Sequence, residues 1–398
     1  MDITFSHGLQ QGPVSETFKK IVCEWNYSHP ETQVHVQEYS VFDQPAREAL
    51  SATDEEQPTF VLAPEYMTGA MMTALKEKKV IPINQLLPSS QLDRIATIVK
   101  RTFGDANGHL VSLPFNPACG VLFANADLVK EFPKTMEELE EIALTLMKEG
   151  KVQGGFTCAW PAAYLVEVPA AQQDVPLVTP ENGKLGFGDY HLGEEWLFNH
   201  LLDIRRMQRE GVFVYAGQTN DAKKPFIEKK AAFFMQGSTH YPILQKEADF
   251  PITACSLPPL IRGQEVKHAF PLGGASVWVL NNSTTQQMLD GVKEFLTYLA
   301  SDEIQETWHK ETGYVPVLED LPKKLKEFYK DHPVHRAVVE QTIEAKLGKY
   351  SFGVGMPNYG VARKELFLLI EKVLDANTTD SEVMSLLQKF DEKYSLEN

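Results

Sequence analysis

The first 110 residues alternate between short apolar runs and longer segments whose apolar residues recur every three or four positions. The runs "ITFSHG", "QVHVQEYSV" and "TFVLAP" predict strands, because they are continuously apolar or alternate with a period of two. The segment after the first run has apolar residues at helical spacing: Val14, Phe18, Ile21, Val22 and Trp25. This order of elements predicts a mainly parallel sheet with helices on both faces.

The middle of the chain carries the strongest helix signal. In "TMEELEEIALTLMKEG", Thr135 and Glu138 are spaced as a capping box, and Gly150 ends the predicted helix. Further along, Ala231–Met235 predicts a buried strand, and a helix is expected to begin at Gly237–Thr239. The last third of the chain is mainly helical in pattern. We therefore expect an α/β protein.

Length, composition and charge narrow the class of protein. A chain of 398 residues predicts two domains, and an apolar content of 43% with 23% charged residues is typical of a globular protein. The net charge of −16, without any Lys/Arg-rich run, argues against nucleic-acid binding. No apolar stretch approaches the length of a membrane span. The four cysteines are scattered and form no CxxC motif, so we expect buried thiols rather than a zinc site.

The chain shows no signal peptide, because Met1 is followed directly by a strand-like segment. Either the protein is cytosolic or a targeting segment has been removed. The sequence also contains no nucleophile elbow, zincin, phosphate-loop or dinucleotide-binding motif, and the histidines have no paired-ligand spacing. We therefore expect no enzymatic activity, no metal and no cofactor.

Aromatic, small and hydroxyl-bearing residues stand instead at the predicted strand and helix ends: Trp160, Ser238, Gly273, Gly274 and Tyr314. Aromatic faces stack on a ligand body, and hydroxyl or helix-start N–H groups hold a polar head. The two glycines open the strand "GGASVWVL", where glycine indicates either a bend or a close approach of the backbone to a ligand. These features favour a binding protein.

Several of these segments resemble one known family. The motifs "FSHGLQQG", "PEYMTGAMM", "SLPFNPACGVLFANADL", "KKAAFFMQGS", "GGASVWVL", "WHKETGYVP" and "GVGMPNYG" are similar to the family 1 extracellular solute-binding proteins of ABC importers, especially members that bind sn-glycerol 3-phosphate. The resemblance implies a two-lobe periplasmic-binding-protein fold of type II, with the ligand in the interlobe cleft. The implied lobes are 1–115 completed by about 270–318, and 116–269 completed by about 319–398.

The resemblance also implies roles for individual residues. Glu65 matches a glutamate that binds glycerol hydroxyls, Trp160 matches a tryptophan that walls the pocket, and Ser238 matches a phosphate-binding serine. Gly273 and Gly274 match glycines whose backbone faces the ligand. Tyr314 matches a tyrosine that reaches the phosphate.

Four positions depart from the family pattern. Phe42 stands for a tyrosine, Ala118 for a serine, and Tyr164 lies beside the position of a second tryptophan. The phosphate-binding arginine is expected near Gly360, and the nearest arginine, Arg363, lies about one helical turn further on. Fewer phosphate ligands and a larger pocket suggest a glycerophosphodiester such as glycerophosphocholine. Its cationic head would lie among Trp160, Tyr164 and Glu65, as aromatic rings and carboxylates attract cations.

We thus expect a monomeric, extracytoplasmic binding component, periplasmic or lipid-anchored, that delivers glycerol phosphate or a glycerophosphodiester to permease subunits. A sugar-binding member of the same family is the first alternative. A cytosolic enzyme with a similar fold and a partner sensor without a small ligand remain open. We also expect Gly274→Val to abolish binding while leaving the fold nearly intact.

Overall fold

The structure is a computed structural model that describes residues 1–9, 11–53, 56–264, 267–282 and 286–396. The chain divides into two units. Unit 1 consists of Met1–Cys119, Leu272–Phe328 and Gly355–Tyr359, and unit 2 consists of Gly120–Pro271, Tyr329–Val354 and Gly360–Asn398. Residues 116–119, 319–328 and 355–359, which the resemblance assigned to the second lobe, lie in unit 1.

The described residues form strands and helices throughout both units. The strands are β1 (Asp2–His7), β2 (Gln33–Glu38), β3 (Phe60–Pro64), β4 (Val80–Ile81), β5 (Leu113–Ala118), β6 (Gly120–Asn125), β7 (Gly154–Cys158), β8 (Val178–Thr179), β9 (Asp189–Tyr190), β10 (Ala231–Gly237), β11 (Ile252–Cys255) and β12 (Gly273–Leu280). The α-helices are α1 (Pro13–Ser28), α2 (Gln44–Ser51), α3 (Thr68–Lys76), α4 (Ser89–Leu92), α5 (Thr97–Phe103), α6 (Met136–Lys148), α7 (Val168–Gln172), α8 (Glu195–Arg209), α9 (Lys224–Ile227), α10 (Tyr241–Glu247), α11 (Gln286–Leu299), α12 (Asp302–Thr312), α13 (Leu321–Lys324), α14 (Lys326–Asp331), α15 (Pro333–Gln341), α16 (Tyr359–Leu374) and α17 (Asp380–Lys393). Short 3₁₀ turns cover Glu65–Met67, Ile83–Gln85, Glu181–Gly183, Asn220–Lys223 and Ser238–His240, and Ala163–Glu167 is a π-helix.

Unit 1 contains a six-stranded sheet in the order β2-β1-β3-β12-β4, with β5 beside β12. Strand β1 runs parallel to β2 and β3, whereas β12 runs antiparallel to β3, β4 and β5. The α/β prediction is confirmed, but the sheet is mixed rather than mainly parallel. The strand pattern could not reveal this, because β12 comes from a distant part of the chain and its direction is set by the path of the intervening residues.

The core of unit 1 is rich in aromatic rings. Phe5 of β1 lies 4.9 Å from Phe18 of α1 and 5.6 Å from Phe60 of β3, between ring centroids. Trp25 lies 5.1 Å from Phe295 of α11. All five side chains are almost inaccessible to solvent, and each contributes about 1.5–3 kcal/mol of burial free energy. The predicted apolar face of α1 is therefore confirmed as a core face.

Unit 2 contains a four-stranded sheet in the order β11-β6-β10-β7. Strand β10 is parallel to β7 but antiparallel to β6, so this sheet is also mixed. At the start of α6 the Thr135 hydroxyl accepts the N–H of Glu138, as predicted. The Glu138 carboxylate, however, accepts the N–H of Lys134 rather than that of Thr135. Both predicted side chains therefore take part in the cap, but the Glu138 carboxylate bonds to the N–H one residue before the expected one.

Three further predictions concern the whole chain. Cys119 and Cys158 are buried thiols as expected, whereas Cys23 is exposed, contrary to the prediction. Within the described ranges, no helix is both long enough and apolar enough to cross a bilayer. The same part of the chain holds no group of three or more His, Cys, Asp or Glu side chains arranged to ligate a metal ion.

Candidate functional site

The sheet of unit 1 gathers several predicted residues at one edge. Strands β3 and β5 end where the antiparallel β12 begins, so Ala118 pairs with Gly273 and Pro64 pairs with Ala275. Glu65 follows directly after β3. We call this cluster edge 1, and its members are Glu65, Ala118, Gly273, Gly274 and Tyr314. Ligands commonly bind at the ends of strands in open α/β sheets.

Gly273 leaves open space beside two hydrogen-bond acceptors. A Cβ built on Gly273 would lie 4.0 Å from Oε1 of Glu65 and 3.9 Å from the carbonyl oxygen of Ala118, and no other described residue comes closer. Glu65 itself is half-buried at the start of a 3₁₀ turn. Carboxylate and carbonyl oxygens are acceptors only, so this spot suits ligand hydroxyl groups.

Gly274 has a different role from its neighbour. Its φ is +93°, and a Cβ there would lie 2.0 Å from the Asn116 carbonyl oxygen and 3.0 Å from the Ala118 nitrogen. The side chain of any other residue would therefore enter the backbone of β5, where the ladder shifts register between Ala275 and Ser276. The expectation that Gly274→Val leaves the fold nearly intact is wrong, because Gly274 is needed for the pairing of β12 with β5.

Tyr314 is held at edge 1 by the end of α12. Gly313 adopts the left-handed conformation, with φ of 75°, and the N–H of Val315 donates to the Pro117 carbonyl at 2.7 Å. The Tyr314 ring stacks on Trp308 at 5.4 Å between centroids. Burial raises the pKa of Tyr314 to about 12, partly opposed by an interaction with the Asn116 side chain. The hydroxyl is therefore a neutral donor beside Asn116.

Asn116 is a candidate that the sequence analysis missed. Its side chain is fully buried in β5, and among the described residues neither Oδ1 nor Nδ2 has a hydrogen bond of regular geometry, although the Tyr314 side chain is close enough to affect it. Buried amides are normally paired, so such a group marks a place for a polar contact. Its position two residues before Ala118, in the "PFNPACG" segment, was the only signal available.

Phe42 lies in the loop that follows β2. A Cβ on Gly8, just after β1, would be 2.7 Å from the Cα of Phe42, so the two loops lie against each other. The side chain of Phe42 is half-buried. The structure thus places Phe42 at the carboxyl ends of β1 and β2, on the same side of the sheet as edge 1.

The sheet of unit 2 gathers a second set of predicted residues, Trp160, Tyr164 and Ser238, which we call edge 2. Trp160 lies two residues after β7, and Ser238 directly follows the parallel strand β10. Ser238 is fully buried and opens a 3₁₀ turn that precedes α10. Its expected contact with a phosphate stays a prediction.

Trp160 is the unusual residue of edge 2. Its φ is +51°, a left-handed conformation that costs a bulky residue about 1–2 kcal/mol. Its N–H donates to the Gln218 carbonyl at 2.7 Å, which holds this conformation. The side chain is nevertheless 41% exposed. Strained, exposed aromatic residues are typical of binding sites, so this geometry favours a ligand-stacking role.

Tyr164 lies in the π-helix Ala163–Glu167. A Cβ on Gly120, the first residue of β6, would lie only 2.2 Å from Cε1 of Tyr164, so the ring rests on the bare backbone of that glycine. Tyr164 is 5% exposed. The residue is therefore packed firmly into unit 2, and most of its ring is unavailable as an open wall.

Arg363 forms a two-point ion pair within unit 2. Its Nε lies 2.7 Å from Oε1 of Glu167, and its Nη2 lies 2.9 Å from Oε2. The two side chains are 15% and 12% exposed. The guanidinium carbon also lies 5.8 Å from the centroid of the Phe367 ring. The pair joins residues 196 apart, so no local pattern in the sequence could identify Glu167 as the partner of Arg363.

Several solved structures are similar to this chain in fold. The cyclic alpha-maltosyl-1,6-maltose binding protein of Arthrobacter globiformis matches with a TM-score of 0.78 at 17% identity, covering 99% of this chain and 98% of its own. The maltotriose binding protein of Thermus thermophilus matches with a TM-score of 0.75 at 16% identity, covering 98% and 99%. The chain therefore has the two-lobe α/β fold of periplasmic binding proteins.

The sequence profile described as bacterial extracellular solute-binding protein matches residues 21–337, and the chain belongs to this family. The sn-glycerol-3-phosphate-binding periplasmic protein UgpB of Brucella melitensis is 25% identical over 373 residues, which is 90% of this chain and 84% of that protein. UgpB of Yersinia pestis is 23% identical over 394 residues, or 95% and 88%. Proteins of this family bind small molecules for ABC importers outside the cytoplasm and are not enzymes.

Proposed function

We propose that this protein captures sn-glycerol 3-phosphate or a related glycerophosphodiester and delivers it to an ABC importer. The observation that carries the proposal is the placement of the Glu65 carboxylate beside the open face of Gly273. Adjacent glycerol hydroxyls can donate to that carboxylate and to the Ala118 carbonyl. The names of the UgpB relatives support the same ligand class.

We also propose, as the family resemblance implies, that the remaining predicted residues contact the other parts of such a ligand. The hydroxyls of Tyr314 and Ser238 can donate to phosphate oxygens, and hydrogen bonds to a charged acceptor are stronger than neutral ones. The exposed ring of Trp160 can stack on the ligand body or face a choline head. Phe42 and Ala118 supply no hydroxyl, which weakens phosphate binding relative to the family pattern. Gly274 supports edge 1 through its pairing with β5.

Membership of this family supports further parts of the proposal. We propose that the protein acts as a monomer outside the cytoplasm, either free in the periplasm or held by a lipid anchor. Its macromolecular partners would be the transmembrane permease subunits of the importer. Capture by hinge closure, as in other binding proteins, belongs to the same proposal.

A sugar-binding role is the second candidate. The observation that favours it is the exposed Trp160 ring, because aromatic faces also stack on sugar rings. The compensated charge of Arg363 points the same way, since a neutral ligand needs no free cation. The titles of the structural neighbours name sugars, but at 16–17% identity these matches speak for the fold alone.

Calorimetric titration separates the two candidates. We expect binding of sn-glycerol 3-phosphate or glycerophosphocholine, and none of maltose. We expect Glu65→Gln to weaken binding about tenfold or more, because a hydrogen bond to a charged group contributes about 1.5–3 kcal/mol. Glu77→Gln, an exposed change at the far end of α3, serves as the control and leaves binding unchanged. Tight binding of maltose with no response to either glycerol compound would contradict the proposal.

A further inference from the structure

We propose that the ion pair between Glu167 and Arg363 selects ligands with a phosphodiester over ligands with a phosphate monoester. This inference rests on the proposed function and deepens it, because it names which glycerol phosphate class the protein takes. It assigns Glu167, a residue without a role so far, as a specificity-determining residue. Three observations support this proposal: the geometry of the ion pair, its position one aromatic residue away from Trp160, and its net charge of zero.

The geometry commits two guanidinium donors of Arg363, Nε and Nη2, to the Glu167 carboxylate. Both bonds, at 2.7 and 2.9 Å, use the planar edge of the guanidinium that a phosphate would otherwise take in the same two-point manner. Because both side chains are only 12–15% exposed, water screens the pair weakly. A phosphate that engages this edge must displace Glu167 and leave its carboxylate partly buried without its partner, which is costly.

The pair lies next to the strongest ligand-stacking candidate of edge 2. The Arg363 guanidinium carbon lies 5.8 Å from the centroid of the Phe367 ring. The Phe367 and Trp160 rings are arranged edge to face, with 5.9 Å between their centroids. Trp160 also accepts the N–H groups of Ala163 and Tyr164 at the start of the helical segment that carries Glu167. One aromatic residue therefore separates the pair from an exposed ring.

The charge of the pair decides which phosphate fits. Arg363 and Glu167 sum to zero, so together they offer no net attraction to an anion. A phosphate monoester carries about −1.5 to −2 charges at neutral pH, whereas a diester carries one negative charge at most. Burying the doubly charged monoester costs more hydration free energy than burying a singly charged diester, and a pair without net charge does not compensate the difference. Zwitterionic or singly charged diesters avoid most of this cost.

The experiment measures calorimetric affinities at pH 8 for sn-glycerol 3-phosphate, glycerophosphoglycerol and glycerophosphocholine. Glycerophosphoglycerol has a diester but no cation, so it separates the charge of the phosphate from recognition of choline. We expect the unaltered protein to bind both diesters at least about tenfold more tightly than the monoester, corresponding to about 1.4 kcal/mol.

The matched variants are Glu167→Gln and Glu365→Gln. Glu167→Gln keeps the shape but removes the charge, and we expect monoester affinity to rise about tenfold with little change for the diesters. Glu365→Gln removes the same charge two residues from Arg363, at a surface ion pair with Lys393, and should leave the preference unaltered.

The outcomes are distinct. If the unaltered protein prefers the monoester, the inference fails and the proposed function stands; this comparison needs no variant, so it holds even if Glu167→Gln does not fold. Equal changes for monoester and diesters in Glu167→Gln also overturn the inference. If the unaltered protein binds none of the three glycerol compounds, the proposed function itself fails.

Discussion

At the scale of single residues, the two adjacent glycines of β12 are not equivalent. Gly273 faces open space beside Glu65, whereas Gly274 has φ of +93° and lies against the β5 backbone. The same residue type therefore serves ligand access at one position and strand pairing at the next. A sequence shows only that both side chains are missing, because the direction in which a Cβ would point depends on the neighbouring strand.

This difference can be measured by urea unfolding. We expect Gly274→Ala to lower the free energy of unfolding by about 2–4 kcal/mol, from left-handed strain and from overpacking against β5. Gly150→Ala is the matched control, since Gly150 has φ of +69° and no described residue lies within 4 Å of an added Cβ, and it should cost only about 1 kcal/mol of strain. Equal losses in the two variants would show that contact with β5 is unimportant.

Gly273 tests the ligand site without this cost to the fold. We expect Gly273→Val to change the free energy of unfolding by less than about 1 kcal/mol, because no described residue lies closer than 3.9 Å to the added Cβ. The branched side chain would stand beside the Glu65 carboxylate and weaken binding of the glycerol compounds about tenfold or more. Unchanged affinity in calorimetry would place the ligand elsewhere.

At the scale of elements, local signals located the helices well. Helix α6 begins with the predicted Thr135 cap, and α12 ends at Gly313 in the left-handed conformation. Strand direction was predicted less well, since both sheets are mixed. Caps depend on residues three or four apart, whereas strand direction depends on the path of whole connecting segments.

The α6 cap gives a prediction for one element. We expect Thr135→Ala to reduce the free energy of unfolding by about 1 kcal/mol, because the Glu138 N–H loses its acceptor. Thr145→Ala, on the exposed face of the same helix, should be neutral or slightly stabilising because alanine has the higher helix propensity. Urea unfolding of both variants checks this, and a cap variant as stable as the control would contradict it.

At the scale of the whole molecule, burial of titratable groups in both units makes stability depend on pH. Burial lowers the pKa of three histidines from 6.5 to about 4: His7, His200 and His240. In contrast, Arg206 lowers the pKa of the Glu140 carboxyl below its ordinary 4.5. The histidines therefore affect stability between pH 6.5 and about 4, whereas the Glu140 carboxylate affects it only below its ordinary pKa of 4.5.

The direction of the pH dependence is set by whether the folded or the unfolded protein binds more protons. Between pH 6.5 and about 4 the unfolded histidines are protonated and the folded ones are not, so stability is full above 6.5 and falls as pH drops. Each histidine contributes on the order of 1–3 kcal/mol to the free energy of unfolding above pH 6.5. We expect His200→Gln to flatten the change in unfolding free energy between pH 7 and pH 5. His109 is exposed, so His109→Gln should leave this pH dependence unchanged. If both variants show the same dependence of unfolding free energy on pH, burial of His200 does not cause it.

The sequence by itself determined the α/β class, most helix and strand positions, the family, and the residues that reach edges 1 and 2. These depend on short-range periodicity and on motifs that lie within single segments. Only the tertiary structure decided the mixed sheets, the role of Gly274 in pairing with β5, the buried amide of Asn116 and the pairing of Arg363 with Glu167. Each of these depends on which distant segments meet, and in the last case on two residues 196 positions apart.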